Sequence, residues 1–343
     1  MAENKKATIY DVARASGVSR QTVSRVINNR PDVANETRTR VLDVIMKMDY
    51  RPSAVAQSLS RQKSYLLGVV SAGLQYIGPS VTLKGIVDQA ESMGYGLILK
   101  TVSSFDVHDV VPILKFFNAH HVDGIIWAVP EIGENRKWLT LDNINNDIPI
   151  IFMAMDQDKH VSVVAIDNIQ GGRLATRHLI DRGCQSIGHI SGPMDWLDSR
   201  HRKLGWNLTM KEAGFSISDK MCVEGNWSSK SGKNAFHQLI KQFPEMDGLF
   251  VANDQMALSV FQSAFELGIS IPKQLKVVGF DGIPESEFYS PSLTTIYQNL
   301  EDLGCTAVNE LVNLIEKKKN TTNENDYQIV KIKPKLIIRQ STQ

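Results

Sequence analysis

The chain has 343 residues, with 38 lysines and arginines against 37 acidic residues and a hydrophobic content of 42%. This is too long for one small domain, and the apolar content can supply a sizeable core. Three widely separated cysteines, Cys184, Cys222 and Cys305, argue against a disulfide framework or zinc site, and no run of about 18 apolar residues marks a membrane span.

The net charge of +1 is unevenly spread. Residues 1–63 carry 12 Lys and Arg against 6 Asp and Glu, while the remainder carries 26 against 31. The basic end is therefore the part suited to attract phosphate. The opening stretch MAENKKATIYDV is polar and has no apolar signal region, so a cytoplasmic location is expected.

In chain order, the first predicted element is a helix over Ile9–Ala15, capped by Thr8, with Tyr10, Val12 and Ala13 as its apolar side. Gly17 permits a tight turn, and Ser19 caps a second helix, Arg20–Ile27. Val23 and the Val26/Ile27 pair face inward, which leaves Arg20, Gln21, Thr22, Ser24 and Arg25 outward. Arg and Gln suit bidentate contact with guanine and adenine edges, and Ser and Thr suit phosphate oxygens. A third helix, about Asn35–Met48, packs through Val41, Val44, Ile45 and Met48. Two short helices around a glycine turn are the layout of a helix-turn-helix reader of the DNA major groove.

The segments IYDVARASGVSRQTVSRVINN and YRPSAVAQSLSRQKSYLLGVV are similar to the lactose/galactose repressor family of bacterial transcription regulators. The resemblance implies that Arg20 and Gln21 select the operator and that Arg25 also reaches a base. Thr8, Tyr10, Ser19, Asn28 and Thr37 complete the side chains expected at DNA. It further implies that Pro52–Leu59 is a hinge helix that forms on operator DNA, with Ala56 allowing two hinges of a dimer to approach and Leu59 wedging into the minor groove. Eight residues are too few for a stable isolated helix, and an apolar wedge opens a base step, so the physics agrees. The alternative for this segment is a linker helix packed on its own domain.

From Tyr65 the pattern changes to short apolar runs alternating with amphipathic stretches. Strands are predicted at Leu66–Val70, Gly96–Lys100, Gly124–Ala128, Pro149–Met153, Val163–Ile166, Ser186–Ile190, Gly248–Val251 and Lys276–Phe280. Helices between them imply an α/β domain of parallel sheets flanked by helices, with ligand at the carboxyl ends of the strands. The family resemblance implies a two-lobed, periplasmic-binding-protein-like form. The expected division is a DNA-binding head over 1–50, a hinge helix and linker over 51–63, and an effector-binding and dimerisation domain over 64–343. Within that domain, crossovers near Ile166, Thr295 and Asp326 would make one lobe of about 65–166 plus 297–326, and another of about 167–296 plus 327–340.

Four motifs carry the expected effector chemistry: Asp198–Trp206 with Arg202, Val251–Ala257 with Asn253, Val278–Asp281 with Asp281, and Glu224–Ser228 with Trp227. Arg202 offers a planar fork of donors, Asn253 an amide that both donates and accepts, Asp281 an acceptor for paired hydroxyls, and Trp227 a face for a sugar ring. Arg200 is expected to support Arg202, and Gln298 is a further candidate near a crossover. Each has a structural alternative: an interlobe ion pair of Arg202 with Asp281, a helix cap for Asn253, and a core position for Trp227. Asp254 reads as structural.

The motifs around Gly78–Ser80, GNWS and VANDQMALS are most similar to the family's lactose repressors, which implies a galactoside or related glycoside as effector and adds Gln75 and Ser80 to the candidates. Against that pattern, Ala72 replaces a hydroxyl residue, Ala154 an acid and Ile166 an aromatic, which implies either a larger ligand or substitution by Gln75, Tyr76 or Asp156. The family alternative is a corepressor-dependent regulator responsive to a purine or phosphoprotein. No nucleophile elbow, phosphate loop or metal spacing is present, so neither catalysis nor a metal or cofactor is expected. The last residues, Lys335–Gln343, hold no leucine heptad, and a homodimer on a pseudo-palindromic operator is the expected assembly.

Overall fold

The computed structural model describes residues 7–50, 63–105, 109–133, 135–139, 148–156, 161–320 and 327–343. The predicted hinge, with Ala56 and Leu59, lies outside these residues. The chain divides into two units, Met1–Tyr65 and Leu66–Gln343.

The first unit is a three-helix head: α1 (Ile9–Ser16), α2 (Arg20–Ile27) and α3 (Asn35–Lys47). Asp11 accepts from both the Thr8 amide (2.9 Å) and the Thr8 hydroxyl (2.6 Å), which fixes the start of α1. Gly17 ends it at φ 66°, a left-handed conformation open to glycine without steric cost, and the Val18 amide closes on Ala13 O at 3.1 Å. Ser19 Oγ then accepts from the Thr22 amide at 3.1 Å and opens α2. Val12, Ala13, Val23, Val26 and Val41 form the core. Tyr10 departs from expectation: it is 58% exposed and does not join that core.

The second unit contains β1 (Leu66–Ala72), α4 (Ile77–Ser92), β2 (Gly96–Val102), α5 (Val111–Ala119), β3 (Gly124–Ala128), β4 (Ile150–Met153) and β5 (Ser162–Ile166). These are followed by α6 (Asn168–Asp181), β6 (Ile187–Ser191), α7 (Leu197–Glu212), β7 (Cys222–Glu224), α8 (Ser229–Gln242), β8 (Gly248–Val251) and α9 (Asp254–Glu266). The last elements are β9 (Lys276–Asp281), β10 (Thr294–Tyr297), α10 (Leu300–Asn320), β11 (Ile329–Ile332) and β12 (Lys335–Ile337).

Two six-stranded sheets result, ordered β11-β5-β4-β3-β1-β2 and β12-β10-β9-β8-β6-β7. Every pairing is parallel except β10 with β12. The inner strands are mostly apolar because both of their faces are covered, with buried exceptions such as His189, Ser191, Thr294 and Thr295. In the first lobe, Leu67, Val69, Ile126 and Ile151 pack under α4 and α10, while Val70, Ile125, Trp127 and Phe152 pack on the other face with α5. The second lobe has one large core around Trp206, Phe236, Phe250 and Phe280.

Each lobe has a pair of helices that touch through glycine. An added Cβ would lie 2.2 Å from Glu301 O at Gly85 and 2.3 Å from Thr82 O at Gly304, where α4 meets α10. At the α6–α7 crossing it would lie 2.3 Å from Arg202 O at Gly172 and 2.3 Å from Ile169 O at Gly205. Backbone fills the space on both sides, so only glycine allows these approaches.

The chain passes between the sheets at Asp167, at Gln298–Asn299, and at Lys333–Pro334. The third passage corrects the expectation of a crossing near Asp326, which itself lies outside the described residues. Ile329–Ile332 pairs parallel with Val163–Ile166 in the first sheet, and only Lys335–Ile337 joins the second. Residues 329–332 therefore belong to the first lobe. Among the described residues no helix is long and apolar enough to cross a membrane.

Candidate functional site

On the head, Ser19, Arg20, Gln21 and Arg25 are exposed on α2, with Thr22, Ser24 and Asn28 half-buried beside them. The hydroxyls are partly committed: Ser19 Oγ meets Thr22 Oγ1 at 2.9 Å, and Asn28 donates to Ser24 Oγ at 3.3 Å. Arg20 lies over the Tyr10 ring at 4.4 Å and donates from Nη1 to the Tyr10 hydroxyl at 2.5 Å. This explains why Tyr10 stays outside the core: it is a platform for the guanidinium. Arg25 is paired with Asp32 at 3.5 Å, and Arg38 donates to Asn29 at 2.7 Å across the turn before α3. Thr37, at the start of α3, is half-buried and Thr8 is exposed.

In the second unit, the carboxyl ends of both sheets converge on one cavity of about 160 Å³. At about 15 Å³ or less per enclosed water, this is room for roughly ten waters, the scale of a small polar molecule. The second lobe lines it with polar groups. Arg202 is buried; its Nε donates to Asn168 Oδ1 (2.9 Å) and its Nη1 to Ala252 O (2.6 Å) and Asp281 Oδ1 (3.3 Å). The guanidinium stacks on Phe280 at 3.8 Å and lies 5.3 Å from the Trp227 ring. Nη2 makes no hydrogen bond among the described residues and remains a donor for a ligand. Asn168 in turn donates to Asp198 at 2.9 Å, so Arg202 is aimed by a chain of polar contacts.

Asp281 accepts from Gln298 Nε2 at 2.6 Å on the same oxygen that faces Arg202. Arg202 and Asp281 do form an ion pair, but both belong to the second lobe, so it is not an interlobe lock. Asn253 is the helix cap foreseen as its alternative: Oδ1 accepts from the Met256 amide at 2.9 Å and Nδ2 donates to Trp227 O at 3.0 Å. It also lines the cavity, so one residue both starts α9 and faces that space. Asp254 is structural as expected. It accepts from the amides of Gly282 (2.9 Å) and Ile283 (3.0 Å) and from the Thr295 hydroxyl (2.6 Å), which braces the turn behind Asp281. Burial and the neighbouring Asp281 push the Asp254 carboxyl up to about 8 against those three donors.

Three non-glycine residues at the cavity have positive φ: Ala154 (49°), Trp227 (70°) and Asp281 (113°). Such conformations cost about 1–3 kcal/mol each and gather where surrounding structure must present a side chain in one direction.

The first lobe supplies an apolar wall: Pro79, Leu83, Ile86, Met153, Ile166 and Leu303, with Ser71, Thr82 and Tyr76 as its few polar members. Two candidates are corrected here. Gln75 does not reach the cavity; it lies on a separate hollow formed by 72–75 and 101–105. Ser80 is exposed at the start of α4 and turns its hydroxyl to Leu74 O at 2.5 Å. The supposed loss of a hydroxyl at Ala72 is also revised: Ala72 points into the core, and Ser71, one residue earlier, lines the cavity. Asp156 lies off the main cavity, 4.0 Å from His201.

Trp196, Asn168, Asp198, Thr82 and Gln255 also line the cavity, although the motifs did not single them out as ligand contacts. Arg200 does not support Arg202. It donates to Asp195 O at 2.8 Å and pairs with Glu131 of the first lobe at 3.5 Å. That ion pair flanks a short antiparallel bridge between the lobes, in which Gly133 N donates to Asp195 O (3.0 Å) and Leu197 N to Glu131 O (3.1 Å).

Burial raises the Asp281 carboxyl to about 6, outweighing Arg202 and Gln298, while 23% of the side chain stays open to solvent. Its folded value lies above the unfolded one, so ionisation costs stability as pH rises from about 4 through 6. Its value as an acceptor runs the other way. Affinity for a hydroxyl-bearing ligand is expected to be flat above pH 7 and to fall by up to about tenfold per pH unit below 6. Calorimetric titration at pH 5, 6 and 7.5 checks this, and an Asp281→Asn variant should lose the dependence.

Residues 8–53 match the model for bacterial regulatory proteins of the lacI family, and residues 176–342 match that for a periplasmic binding protein-like domain. The HTH-type transcriptional repressor PurR of Pasteurella multocida is 32% identical over 98% of both chains. The chain belongs to the lacI family of bacterial regulators. Catabolite control protein A of Priestia megaterium is 31% identical, over 98% of this chain and 99% of that one. Among solved structures, the Lac repressor dimer bound to operator and the anti-inducer ONPF superposes with a TM-score of 0.85 at 28% identity, covering 98% of this chain and 99% of that one. A complex of the transcriptional regulator CelR with cellobiose gives a TM-score of 0.71 at 26% identity, with the same coverage. The protein is thus a DNA-binding transcriptional repressor built from a helix-turn-helix head and a two-lobed ligand domain.

Proposed function

We propose that this repressor controls carbohydrate-utilisation genes and is released from its operator by a galactoside or related glycoside. The observation that carries the reading is a donor and an acceptor that line one cavity as an ion pair: Arg202 Nη1 meets Asp281 Oδ1 at 3.3 Å, Arg202 Nη2 and Asp281 Oδ2 make no hydrogen bond among the described residues, and the guanidinium lies 5.3 Å from the Trp227 ring. A donor beside an acceptor fits two neighbouring hydroxyls, and an indole face fits the C–H side of a pyranose. Release requires the ligand to prefer the DNA-incompetent form; moving the population from 1:99 to 99:1 takes roughly 5.5 kcal/mol of differential binding.

A purine corepressor is the second reading, and the similarity to PurR of Pasteurella multocida favours it. Titration calorimetry of the full chain with galactosides, glucosides and purines separates the two. Glycoside binding coupled to loss of operator affinity supports release by sugar. A purine that binds while every sugar fails, and that tightens operator binding, overturns it.

The operator would be pseudo-palindromic, read by two heads. With Nη1 held by Tyr10, Arg20 Nε and Nη2 make no hydrogen bond among the described residues, and they form the edge that fits guanine O6 and N7. Operator selection from random DNA is expected to return guanine facing Arg20 in each half-site, and Arg20→Ala to relax that position at a cost of about 1–3 kcal/mol. Selection of any other base there would remove Arg20 as a reader.

The second copy would dock through an apolar patch on the second lobe. Phe265 (86% exposed) lies seven residues beyond the exposed Leu258 on α9, and Phe288 (83% exposed) precedes Tyr289, whose ring meets Phe261 of α9 at 5.7 Å. Exposed phenylalanines grouped in this way mark an interface. Sedimentation at micromolar concentration should give a dimer, and Phe265→Glu should give monomers; a wild-type monomer or tetramer would refute the assembly.

A further inference from the structure

Tyr10 and Arg20 sit in the first turns of two helices whose starts are both fixed by side chains. Thr8 and Asp11 close the beginning of α1, and Ser19 and Thr22 that of α2. Tyr10 is the second residue of α1 and Arg20 the first of α2, so the turn at Gly17 brings phenol and guanidinium together on a backbone already set. The phenol oxygen accepts from Arg20 Nη1 at 2.5 Å, and the guanidinium carbon lies 4.4 Å from the ring centroid. Packing does not account for this tyrosine, which is 58% exposed while the core of the head forms without it.

An arginine on a recognition helix has two uses. Its end-on edge, Nη1 with Nη2, and its side edge, Nε with Nη2, can each clasp guanine O6 and N7, and either can grip phosphate oxygens instead. A phosphate contact carries no sequence information. The Tyr10 contact narrows the choice. It occupies Nη1 and so closes the end-on edge, and the ring face holds the plane of the guanidinium. A side chain held in place before it meets DNA also loses less rotamer freedom on binding.

We propose that Tyr10 is a positioning residue for base recognition. It acts through Arg20, keeping the guanidinium on the base edge and off the phosphate backbone, and so sets the strength of the guanine preference at one position of each half-site. The inference rests on the reading of Arg20 as a guanine reader and adds the residue that makes that contact selective; it does not depend on which effector is bound.

Fluorescence anisotropy of the full chain, without effector, tests this on the duplex returned by operator selection and on three others that differ from it only at the base pair relaxed by Arg20→Ala. The wild type is expected to bind the guanine duplex about tenfold or more tightly than the other three. Tyr10→Ala should cut that preference to about twofold, and Tyr10→Phe, which keeps the ring without the hydroxyl, should leave about fourfold. In the Arg20→Ala background neither change should alter the ranking of the four duplexes. A Tyr10→Ala variant that keeps the full preference overturns the proposal, and so does one that weakens all four duplexes equally, the mark of a damaged head. A change of ranking on Tyr10→Ala that is the same with and without Arg20 also overturns it, because Tyr10 would then read the base itself. If Arg20→Ala relaxes no base pair, the reading of Arg20 falls and this inference with it.

Discussion

Arg202→Ala is expected to abolish the response to ligand while operator binding persists. The guanidinium is the centre of the floor: it bonds Asn168, Ala252 and Asp281 and stacks on Phe280. Removing it deletes the charged donor, and hydrogen bonds of that kind contribute about 1.5–3 kcal/mol each. It also leaves Asp281 without its cation. Burial already holds that carboxyl up at about 6, and loss of the guanidinium that lowers it pushes it further up, toward the protonated form that is a poorer acceptor. The two losses together predict at least a hundredfold drop in effector affinity. Breaking a buried pair costs about 3–5 kcal/mol of stability; protonation of Asp281 and its partial exposure put this case at the low end. Arg202→Met, which refills the volume without the charge, should recover part of the stability and none of the binding. Fluorescence anisotropy on operator DNA with and without the best glycoside reads both effects. Undiminished release of operator in Arg202→Ala would show that the ligand is bound elsewhere.

The second large effect is expected at Gly172. The β-carbon of an alanine there would sit 2.3 Å from Arg202 O and 3.2 Å from Gly205 Cα. Helix backbone cannot swing aside as a side-chain tip can, so α6 and α7 must move apart. Overpacking of this kind costs about 3 kcal/mol, or roughly 6–9 °C of melting temperature for a domain of this size. The movement shifts the carbonyl of Arg202, which lines the cavity, so under the proposed function effector affinity should fall with stability. Gly214→Ala is the control: φ is +82° there, and nothing lies within 4 Å of the added carbon. Only conformational strain of about 1 kcal/mol applies, and ligand affinity should not change. Thermal unfolding and calorimetry of both variants test the pair; similar behaviour of the two would show that the helix crossing tolerates separation.

Much of the cavity lining was legible because parallel strands buried on both faces read as apolar runs, and residues at or just past their carboxyl ends line the cavity. Asn253 and Asp281 were found in this way, and Arg202 from its motif. The errors have local causes. Side chains alternate along a strand, so a shift of one position exchanges Ser71 for Ala72 and core for cavity. Gln75 and Ser80 lie in the turn that opens α4, where no periodicity indicates direction. Trp196 precedes a helix and belongs to no strand pattern; a large aromatic in the loop Gly192–Trp196, after a strand end, was the available signal. The strands β7, β10, β11 and β12 are three or four residues long and carry too few alternations to recognise. The third crossing was misplaced for the same reason, although Pro334, which lacks an amide to donate, marks where the pairing stops.

The division of the cavity wall by lobe has a consequence for how such a regulator can change. The polar lining comes from Arg202, Asn253 and Asp281, and the bulk from Leu83 and Ile86 on α4 and Leu303 on α10. A lineage, or a laboratory library, can therefore vary the apolar wall without replacing the polar residues, and because both line one cavity, a double-mutant cycle across it should read the coupling between them. The cleft thus has a polar and an apolar half carried by different elements, a starting point for redirecting the small molecule that such a regulator senses.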